Sequence, residues 1–496
     1  MKKISLTFHI TMALVIFAVG YGVIAPDHFE EMTTTIKNII ADTAGWYYLL
    51  TVSMLFFISV FLIFSPIGRI RLGKDSDRPQ FSMISWLAML FSAGMGIGLV
   101  FYGAAEPLSH YAVNPATTAV ETKAAYKEAM RQTFFHWGFH AWSVYGMTAL
   151  ALAYFQFRKG QPGLISATLH PILGDRVNGP LGTIIDVFAI FATVFGVATS
   201  LGFGAVQING GLHYLFGVPV GFTSQLIIIA IVTVLFLISA WSGLGKGIKI
   251  LSNANMVLAL ALLIFVIALG PTLLIFNMFT DSVGGYLENL IRMSFRTAPL
   301  DPENRTWLND WTIFYWAWWM AWSPFVGMFI ARVSKGRTIR EFMIGVLVVP
   351  TVLSAIWFSA FGTTAIETQK EGIIDLASTA TELTIFEMFS GLPWSFVISM
   401  IAILLIISFF ITSADSATFV LGMQSSYGSL TPPNNLKIIW GIIQSTIAVI
   451  LLSVGGLNAL QNVIIIAALP FSIILIMMVT SLFKSLKEER KKVKRR

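Results

Sequence analysis

A dense group of tryptophans marks the part of the chain best suited to bind a ligand. Residues 307–322 read W-L-N-D-W-T-I-F-Y-W-A-W-W-M-A-W and hold 6 of the chain's 14 tryptophans. On a helix, Tyr315, Trp319 and Trp322 fall at i, i+4 and i+7, so three electron-rich rings share one face. Such a face suits a quaternary ammonium cation, which has no N–H to donate and is held by ring quadrupoles and dispersion. An aromatic belt at the membrane interface is the alternative. It accounts for Trp307 and Trp311 better than for Trp319 and Trp322.

A second aromatic face is predicted in H-W-G-F-H-A-W-S-V-Y, where Trp137, Trp142 and Tyr145 lie within an arc of about 140° on a helix. Two segments that each present three rings favour a cage around a ligand. His136 and His140 have the i, i+4 spacing of metal ligands, but no acidic ligand is near them in sequence, so we expect no zinc site there.

Glycines cluster in S-W-L-A-M-L-F-S-A-G-M-G-I-G-L-V-F-Y-G, at Gly94, Gly96, Gly98 and Gly103. Each mid-helix glycine costs about 1 kcal/mol of helix propensity relative to alanine. The cluster predicts a broken helix that lines a cavity, since irregular backbone inside a membrane is tolerated only where lipid does not reach it. Small-residue helix packing is the alternative.

Hydroxyl side chains are adjacent in S-F-F-I-T-S-A-D-S-A-T, at Thr412 and Ser413. Neighbouring hydroxyls on a helix can ligate a hard cation, helped by carbonyls that an unwound helix leaves free. Their alternative role is hydrogen bonding to carbonyls of their own helix.

Composition sets the elements that must position these residues. Of 496 residues, 56% are hydrophobic and 11% are charged, against about 25% charged in soluble domains. The chain is therefore predicted to be an all-α polytopic membrane protein of about twelve spans. We place the spans near residues 7–25, 46–66, 84–107, 129–156, 181–210, 223–240, 251–276, 311–331, 342–362, 394–414, 436–454 and 460–483.

Other classes lack support in the sequence. There is no cysteine and no phosphate-binding loop of the G-x-x-x-x-G-K-[ST] type, so thiolate chemistry and direct ATP coupling are not expected. No convincing acid–base or metal constellation predicts an enzyme. Neither an organic cofactor nor a nucleic-acid partner is expected.

Positive charge is distributed asymmetrically. With twelve spans and an inside N-terminus, 24 of the 32 Lys and Arg residues fall on the inside, which predicts a multi-pass protein of the cell membrane with both termini in the cytoplasm. The basic tail, residues 484–496, would be drawn to anionic lipids, or it acts as a topology determinant alone.

The spans divide into units. Two leading helices occupy residues 1–83, a first core repeat 84–276, an extracellular amphipathic segment 277–310, and a second core repeat 311–483, ahead of the tail. Each repeat would begin with an interrupted helix, broken by glycines in the third span and by Ser323-Pro324 in the eighth. Paired interruptions indicate a transporter's central site, and five spans per repeat make the halves inverted.

Four ordered motifs resemble the betaine/choline/carnitine transporters: G-M-G-I-G-L-V-F-Y-G-A-A-E-P, H-W-G-F-H-A-W-S-V-Y, F-Y-W-A-W-W-M-A-W-S-P-F-V-G-M-F-I-A-R and F-F-I-T-S-A-D-S. The resemblance implies a homotrimer whose protomers have a five-plus-five inverted-repeat core behind two leading helices. It also implies the binding residues. The family's cage falls on Trp137, Trp142, Tyr145 and Trp319, and its path on Trp316, Trp318 and Trp322. The main sodium site falls on backbone near Ser92 and Met95, the Phe409 carbonyl, and the Thr412 and Ser413 side chains.

Two positions discriminate within that family. Choline-preferring relatives tend to carry Asp where this chain has Gly98, so the backbone of Gly94, Met95, Gly96 and Gly98 is left to accept a substrate carboxylate. Sodium-independent carnitine exchangers place Arg where this chain has Met256. Both positions favour Na⁺-coupled uptake of glycine betaine as an osmoprotectant.

The resemblance leaves several points open. The family's second sodium site retains Thr193 and the nearby Phe325, but Val197 replaces its other threonine, so the number of ions is not fixed. Uptake or exchange of choline, carnitine or another quaternary ammonium or sulfonium osmolyte is the alternative within the class. An uncoupled channel or facilitator is the alternative from another class.

Overall fold

A computed structural model describes residues 4–242, 247–372 and 374–494. The side chains of residues 92, 93, 242, 247–249 and 490–494 lie outside that description. They include the side chain of Ser92, one of the predicted sodium-site residues, and side chains at the end of the basic tail. Within the described ranges the fold is helical, with one isolated antiparallel bridge between Arg71 and Thr338.

Seventeen α-helices occur in the described residues, numbered here in chain order. They are α1 (Leu6–Ile24), α2 (Pro26–Phe64), α3 (Met83–Gly94), α4 (Ile97–Leu108), α5 (Lys123–Trp137), α6 (Phe139–Ala153), α7 (His170–Leu173), α8 (Pro180–Phe216), α9 (Phe222–Ser242), α10 (Gly247–Leu269), α11 (Thr272–Ser294), α12 (Pro302–Leu308), α13 (Phe314–Val333), α14 (Ile339–Glu371), α15 (Thr384–Ser390), α16 (Ser395–Gln424) and α17 (Asn434–Lys494).

The prediction of an all-α polytopic membrane protein is confirmed. Eight described helices are long and apolar enough to cross a membrane by length and composition: α1, α2, α8, α9, α10, α14, α16 and α17. α17 loses helical geometry at Gly455 and Gly456, so it supplies two spans. The pairs α3–α4 and α5–α6, together with α13, coincide with the remaining predicted spans.

The two predicted interruptions have different outcomes. The break in the third span is present, because α3 ends at Gly94 and α4 begins at Ile97. The interruption at Ser323-Pro324 is wrong, since α13 continues through both residues. Pro324 cannot donate to the carbonyl of Met320, one turn earlier. The Ser323 hydroxyl donates to that carbonyl instead, at 2.8 Å, and so satisfies the acceptor.

Two further boundaries differ from the sequence prediction. The fourth span breaks at Gly138, which has φ −99° and ψ −141° between α5 and α6. The seventh span ends at Leu269, before Gly270 and Pro271, so the predicted surface segment 277–310 begins its helix, α11, at Thr272.

α13 lies at the centre of the molecule, where it packs against α6, α8 and α17. Every residue from Phe314 to Met328 is buried, and Trp307 is also buried, with its indole N–H bonded to the Asn114 carbonyl. An aromatic belt would place these rings against lipid headgroups. The buried tryptophans therefore face other parts of the protein.

Candidate functional site

Rings from α5, α6 and α13 converge beside the break between α3 and α4. The ring centroid of Trp319 lies 5.8 Å from Trp137, 5.8 Å from Trp142 and 4.7 Å from Tyr145. The helix break at Gly138 separates the first of these rings from the other two along the chain. The four predicted cage residues are thus together in space.

A narrow cavity lies between these rings and the broken helix. Its lining residues are Gly94, Gly96, Ile97, Gly98, Leu99, Trp137, Tyr145, Ser200, Trp318, Trp319 and Trp322. Eight of them were predicted from the sequence. Trp142 does not line the cavity but packs against Gly94, where an added Cβ would lie 2.3 Å from its ring. Met95 is buried and does not line the cavity either.

Trp316 does not line this cavity, contrary to the prediction that it lies on the ligand path. Its ring packs edge-on against Phe135 at 5.1 Å and stacks on His140 at 5.9 Å. Because three residues rotate a helix by about 300°, its ring leaves α13 on a different face from Trp319. Tyr315, the first ring of the predicted stripe, also points elsewhere, with its hydroxyl on a buried carboxylate.

The indole N–H groups of the lining tryptophans are all bonded to the protein. Trp137 donates to Glu106 Oε2 (2.7 Å), Trp318 to Ser200 Oγ (3.3 Å), Trp319 to the His136 carbonyl (3.1 Å) and Trp322 to the Gly196 carbonyl (2.7 Å). These bonds fix the ring orientations. These tryptophans therefore present ring carbon atoms to the cavity rather than hydrogen-bond donors. Such a surface suits an alkylated cation.

Glu106 is a buried residue that holds a cage ring and that sequence reasoning missed. Its fully buried carboxylate accepts hydrogen bonds from Trp137 Nε1 and Tyr315 Oη (2.5 Å) on Oε2. Its other oxygen lies 2.7 Å from His136 Nδ1 and 3.3 Å from His110 Nε2. The signal was present in the motif G-A-A-E-P, since a carboxylate within an apolar span is expensive and therefore usually functional.

The same three side chains, Glu106, His110 and His136, lie close enough to surround a metal ion. The separations from Oε1 are those of hydrogen bonds, and Oε2 already accepts two donors, so hydrogen bonding accounts for the cluster. His140, the other histidine at i, i+4 spacing, is not part of this cluster, and its Nε2 lies 2.9 Å from Ser294 Oγ.

The N-terminus of α4 forms the other wall of the cavity. Gly96 caps the helix, and the Leu99 N–H donates to its carbonyl at 3.1 Å, while the N–H groups of Ile97 and Gly98 have no acceptor within the helix. They carry the positive end of the helix dipole, which attracts anions. A Cβ on Gly98 would lie 2.5 Å from Trp318 and 3.1 Å from Trp137. Glycine is therefore what lets the rings approach this backbone.

No lining side chain carries a formal charge. The site thus combines ring faces for a cation with backbone donors for an anion, and it has no counter-charge of its own. A ligand that brings both charges fits this arrangement.

The predicted oxygen cluster lies on α16, facing the same break. Thr412 Oγ1 accepts from Asn255 Nδ2 (2.9 Å) and donates to carbonyls of its own helix, Ser408 (2.9 Å) and Phe409 (3.2 Å). Ser413 Oγ would lie 3.6 Å from a Cβ on Gly96. Asn255 was missed as a partner, although it stands beside Met256, which discriminates within the family.

The residues of the predicted second ion site lie on neighbouring helices. Thr193, on α8, donates to the Ala189 carbonyl at 2.8 Å. Phe325, on α13, meets Trp322 edge-on at 5.6 Å, and the bond from Trp322 to Gly196 joins the two helices. The Thr193 hydroxyl is thus used within its own helix.

A larger polar cavity opens on the other side of α4. Tyr102 lines it together with Trp311 and Gln461, and Gln461 Nε2 donates to Tyr102 Oη at 3.2 Å. The Tyr102 ring also lies 6.0 Å from Trp318, which lines the cage. A layer of aromatic rings therefore separates the two spaces.

Comparisons with known proteins show the family to which the chain belongs. The family model described as "BCCT, betaine/carnitine/choline family transporter" matches residues 6–491. A glycine betaine transporter, OpuD, of Bacillus subtilis is 60% identical over 495 residues, covering 100% of this chain and 97% of that protein. A probable glycine betaine transporter of Desulfitobacterium hafniense is 42% identical and covers 98% of each chain. An ectoine/hydroxyectoine transporter of Virgibacillus pantothenticus is 42% identical and covers 98% and 97%.

Proposed function

The chain belongs to the betaine/carnitine/choline transporter family, a family of membrane transporters rather than enzymes, and we propose that it takes up glycine betaine in a Na⁺-coupled, secondary active process. Accumulation of this solute would serve as osmoprotection. The protein would act in the cell membrane with both termini in the cytoplasm, as the distribution of basic residues predicts.

The observation that carries the substrate proposal is the pairing of the cage with the α4 N-terminus across one uncharged cavity. Ring faces of Trp137, Tyr145 and Trp319 suit a trimethylammonium group. The N–H groups of Ile97 and Gly98 at the start of α4, which have no acceptor within the helix, suit a carboxylate. Choline has the first group and lacks the second, so it would leave the backbone donors unpaired.

The relatives support the same substrate. At 60% identity the similar protein is named for glycine betaine, while at 42% one relative is named for glycine betaine and another for ectoine. Carnitine, choline or a sulfonium osmolyte remains the alternative substrate.

The coupling proposal rests on where Thr412 and Ser413 lie. Na⁺ held by their hydroxyls and the Phe409 carbonyl, with backbone near Ser92 and Met95, would join α16 to the broken helix. The ion would thereby stabilise the backbone shape that completes the cage, and the loaded core would then rock inward. Each inward charge gains roughly 2.3 kcal/mol per 100 mV, or about 1.7 decades of accumulation per ion.

Three further features belong to this proposal. The protein would assemble as a homotrimer, its basic tail would contact anionic lipid, and one Na⁺ at Thr412 and Ser413 would be the minimum stoichiometry. A second ion at Thr193 and Phe325 would have to find another ligand in place of the hydroxyl that Val197 lacks.

Ligand binding by the purified protein, followed by tryptophan fluorescence, tests the substrate proposal with matched compounds. 3,3-Dimethylbutyrate has the shape and carboxylate of glycine betaine but carbon in place of the charged nitrogen. We expect it and choline each to bind at least roughly tenfold more weakly than glycine betaine, since each loses one charged interaction. Equal binding of 3,3-dimethylbutyrate would refute the cage, and equal binding of choline would refute the carboxylate site.

A further inference from the structure

A second polar cavity lies at the end of the molecule where α1 begins and α16 ends. Its wall includes Ser5 before α1, Gln161 in the loop after α6, Asp186 in the second turn of α8 and Gln424 at the end of α16. It shares no lining residue with the aromatic cavity. A function in binding the transported solute therefore does not account for it.

Asp186 places a carboxylate in this cavity with little access to solvent. Asp186 is only 7% exposed. Oδ1 accepts from the Ser166 backbone N–H at 2.9 Å, and Oδ2 accepts from the Ser166 hydroxyl at 2.7 Å. Among the described residues, no Lys, Arg or His forms an ion pair with it. A buried ionised carboxylate is costly unless a cation compensates it.

Gln424 gives an independent indication of a ligand. The residue is 3% exposed and lines the same cavity. Its Oε1 and Nε2 are both buried, and neither has a hydrogen-bond partner among the residues that the structure describes. A buried amide left unpaired costs about 1–3 kcal/mol, so such groups are usually satisfied by something within reach.

We propose that this cavity binds one monovalent metal cation, with the Asp186 carboxylate and the Gln424 carbonyl oxygen as ligands. Carboxylate and amide oxygens are the ligands that hard cations prefer. A single carboxylate balances a single positive charge, and it repels an anion. Water alone could satisfy the amide of Gln424 but would leave the charge of Asp186 uncompensated.

The bound ion would join elements that are far apart in sequence. Asp186 belongs to α8 and Gln424 to α16, which also carries Thr412 three turns earlier. Occupancy would therefore hold the end of α16 against the start of α8, at a distance from the proposed coupling ion.

Binding of ⁸⁶Rb⁺ to the purified full-length chain tests this proposal. The buffer contains N-methyl-D-glucamine in place of Na⁺ and K⁺. We expect saturable Rb⁺ binding in the wild type and its loss in Asp186→Asn. In Gln424→Ala the cation loses one oxygen ligand, so we expect its affinity to be roughly tenfold weaker. The matched control is Asp175→Asn, which neutralises a side chain that is 98% exposed in the preceding loop, and it should bind as the wild type does.

Two further variants separate this site from the proposed coupling site and from the N-terminal lysines. Thr412→Ala should retain Rb⁺ binding, because the proposed coupling site is elsewhere. Lys2→Ala with Lys3→Ala should also retain it. Elution as a folded protein and an unchanged fluorescence response to glycine betaine check that Asp186→Asn still folds. The proposal is overturned if the wild type shows no saturable Rb⁺ binding or if Asp186→Asn binds Rb⁺ normally. It is also overturned if Thr412→Ala abolishes Rb⁺ binding, or if Rb⁺ binds only after Lys2 and Lys3 are replaced with Ala.

Discussion

The indole of Trp137 is held by the carboxylate of Glu106, at 2.7 Å between Nε1 and Oε2. The same indole approaches Gly98, at the opposite end of α4. One helix thus contacts both ends of a cage ring, and it does so through a buried carboxylate and a glycine. The geometry of the cage therefore depends on α4 as much as on the helices that carry the rings.

Replacing Glu106 with Gln should weaken glycine betaine binding by roughly tenfold or more, because hydrogen bonds to a charged acceptor contribute most among such bonds. The NH₂ group of the new amide would also face one of the N–H or O–H groups that now donate to the carboxylate. Fluorescence titration of the purified variant measures the change.

Glu128→Gln is the matched control for that variant. Glu128 is 1% exposed and accepts hydrogen bonds from Thr117 and Thr118, yet it does not contact the cage. Its loss should lower stability while leaving the dissociation constant for glycine betaine unchanged. Equal effects of the two variants on binding would show that Glu106 acts through stability alone.

Removing the ring of Trp319, which contacts all three other cage residues, should raise the dissociation constant roughly tenfold to a hundredfold, since a desolvated cation–π contact contributes about 2 kcal/mol. Trp319→Ala is compared with Trp241→Ala, whose ring is 62% exposed. Unchanged affinity in Trp319→Ala would mean that the rings do not hold the ligand.

Gly98→Ala should reduce the initial rate of glycine betaine uptake by roughly tenfold, because inserting a methyl group into a packed site costs about 1–3 kcal/mol. The added Cβ would meet Trp318 at 2.5 Å. Gly285→Ala, in α11, adds the same methyl group where nothing lies within 4 Å, and it should transport normally. Normal uptake by both variants would contradict the close approach of α4 to the cage.

Replacing Thr412 and Ser413 together with Ala should abolish the dependence of glycine betaine binding on sodium, because both side-chain oxygen ligands are removed. The ratio of affinities with and without Na⁺ should fall to about one. Thr418→Ala on the same helix removes a hydroxyl that donates to the Asp415 carbonyl, and it should keep the sodium dependence. Sodium-stimulated binding that survives the double replacement would refute the site.

Local patterns were sufficient to predict the spans and most of the cage. Helical spacing placed Trp319 and Trp322 on one side of α13, and glycines two residues apart predicted the break at Gly96. These features depend on residues close in sequence, for which periodicity and propensity are informative.

The contacts that sequence reasoning missed join distant segments. Glu106 meets His136, Trp137 and Tyr315 only after α4, α5 and α13 pack together, and Asn255 meets Thr412 across α10 and α16. No periodicity encodes such pairs. The error at Pro324 has a local cause, since the hydroxyl of Ser323 replaces the hydrogen bond that proline cannot donate, and the Gly138 break came from a single glycine, which helices often tolerate.

The central claim is tested most directly by uptake of radiolabelled glycine betaine into proteoliposomes, with and without an inward sodium gradient and with choline and carnitine as competitors. We predict accumulation above equilibrium only with the gradient, and no competition from choline. Equilibration without sodium would instead indicate a facilitator. Exchange alone would mean that the oxygens of Thr412 and Ser413 are structural, and either result would contradict coupled uptake.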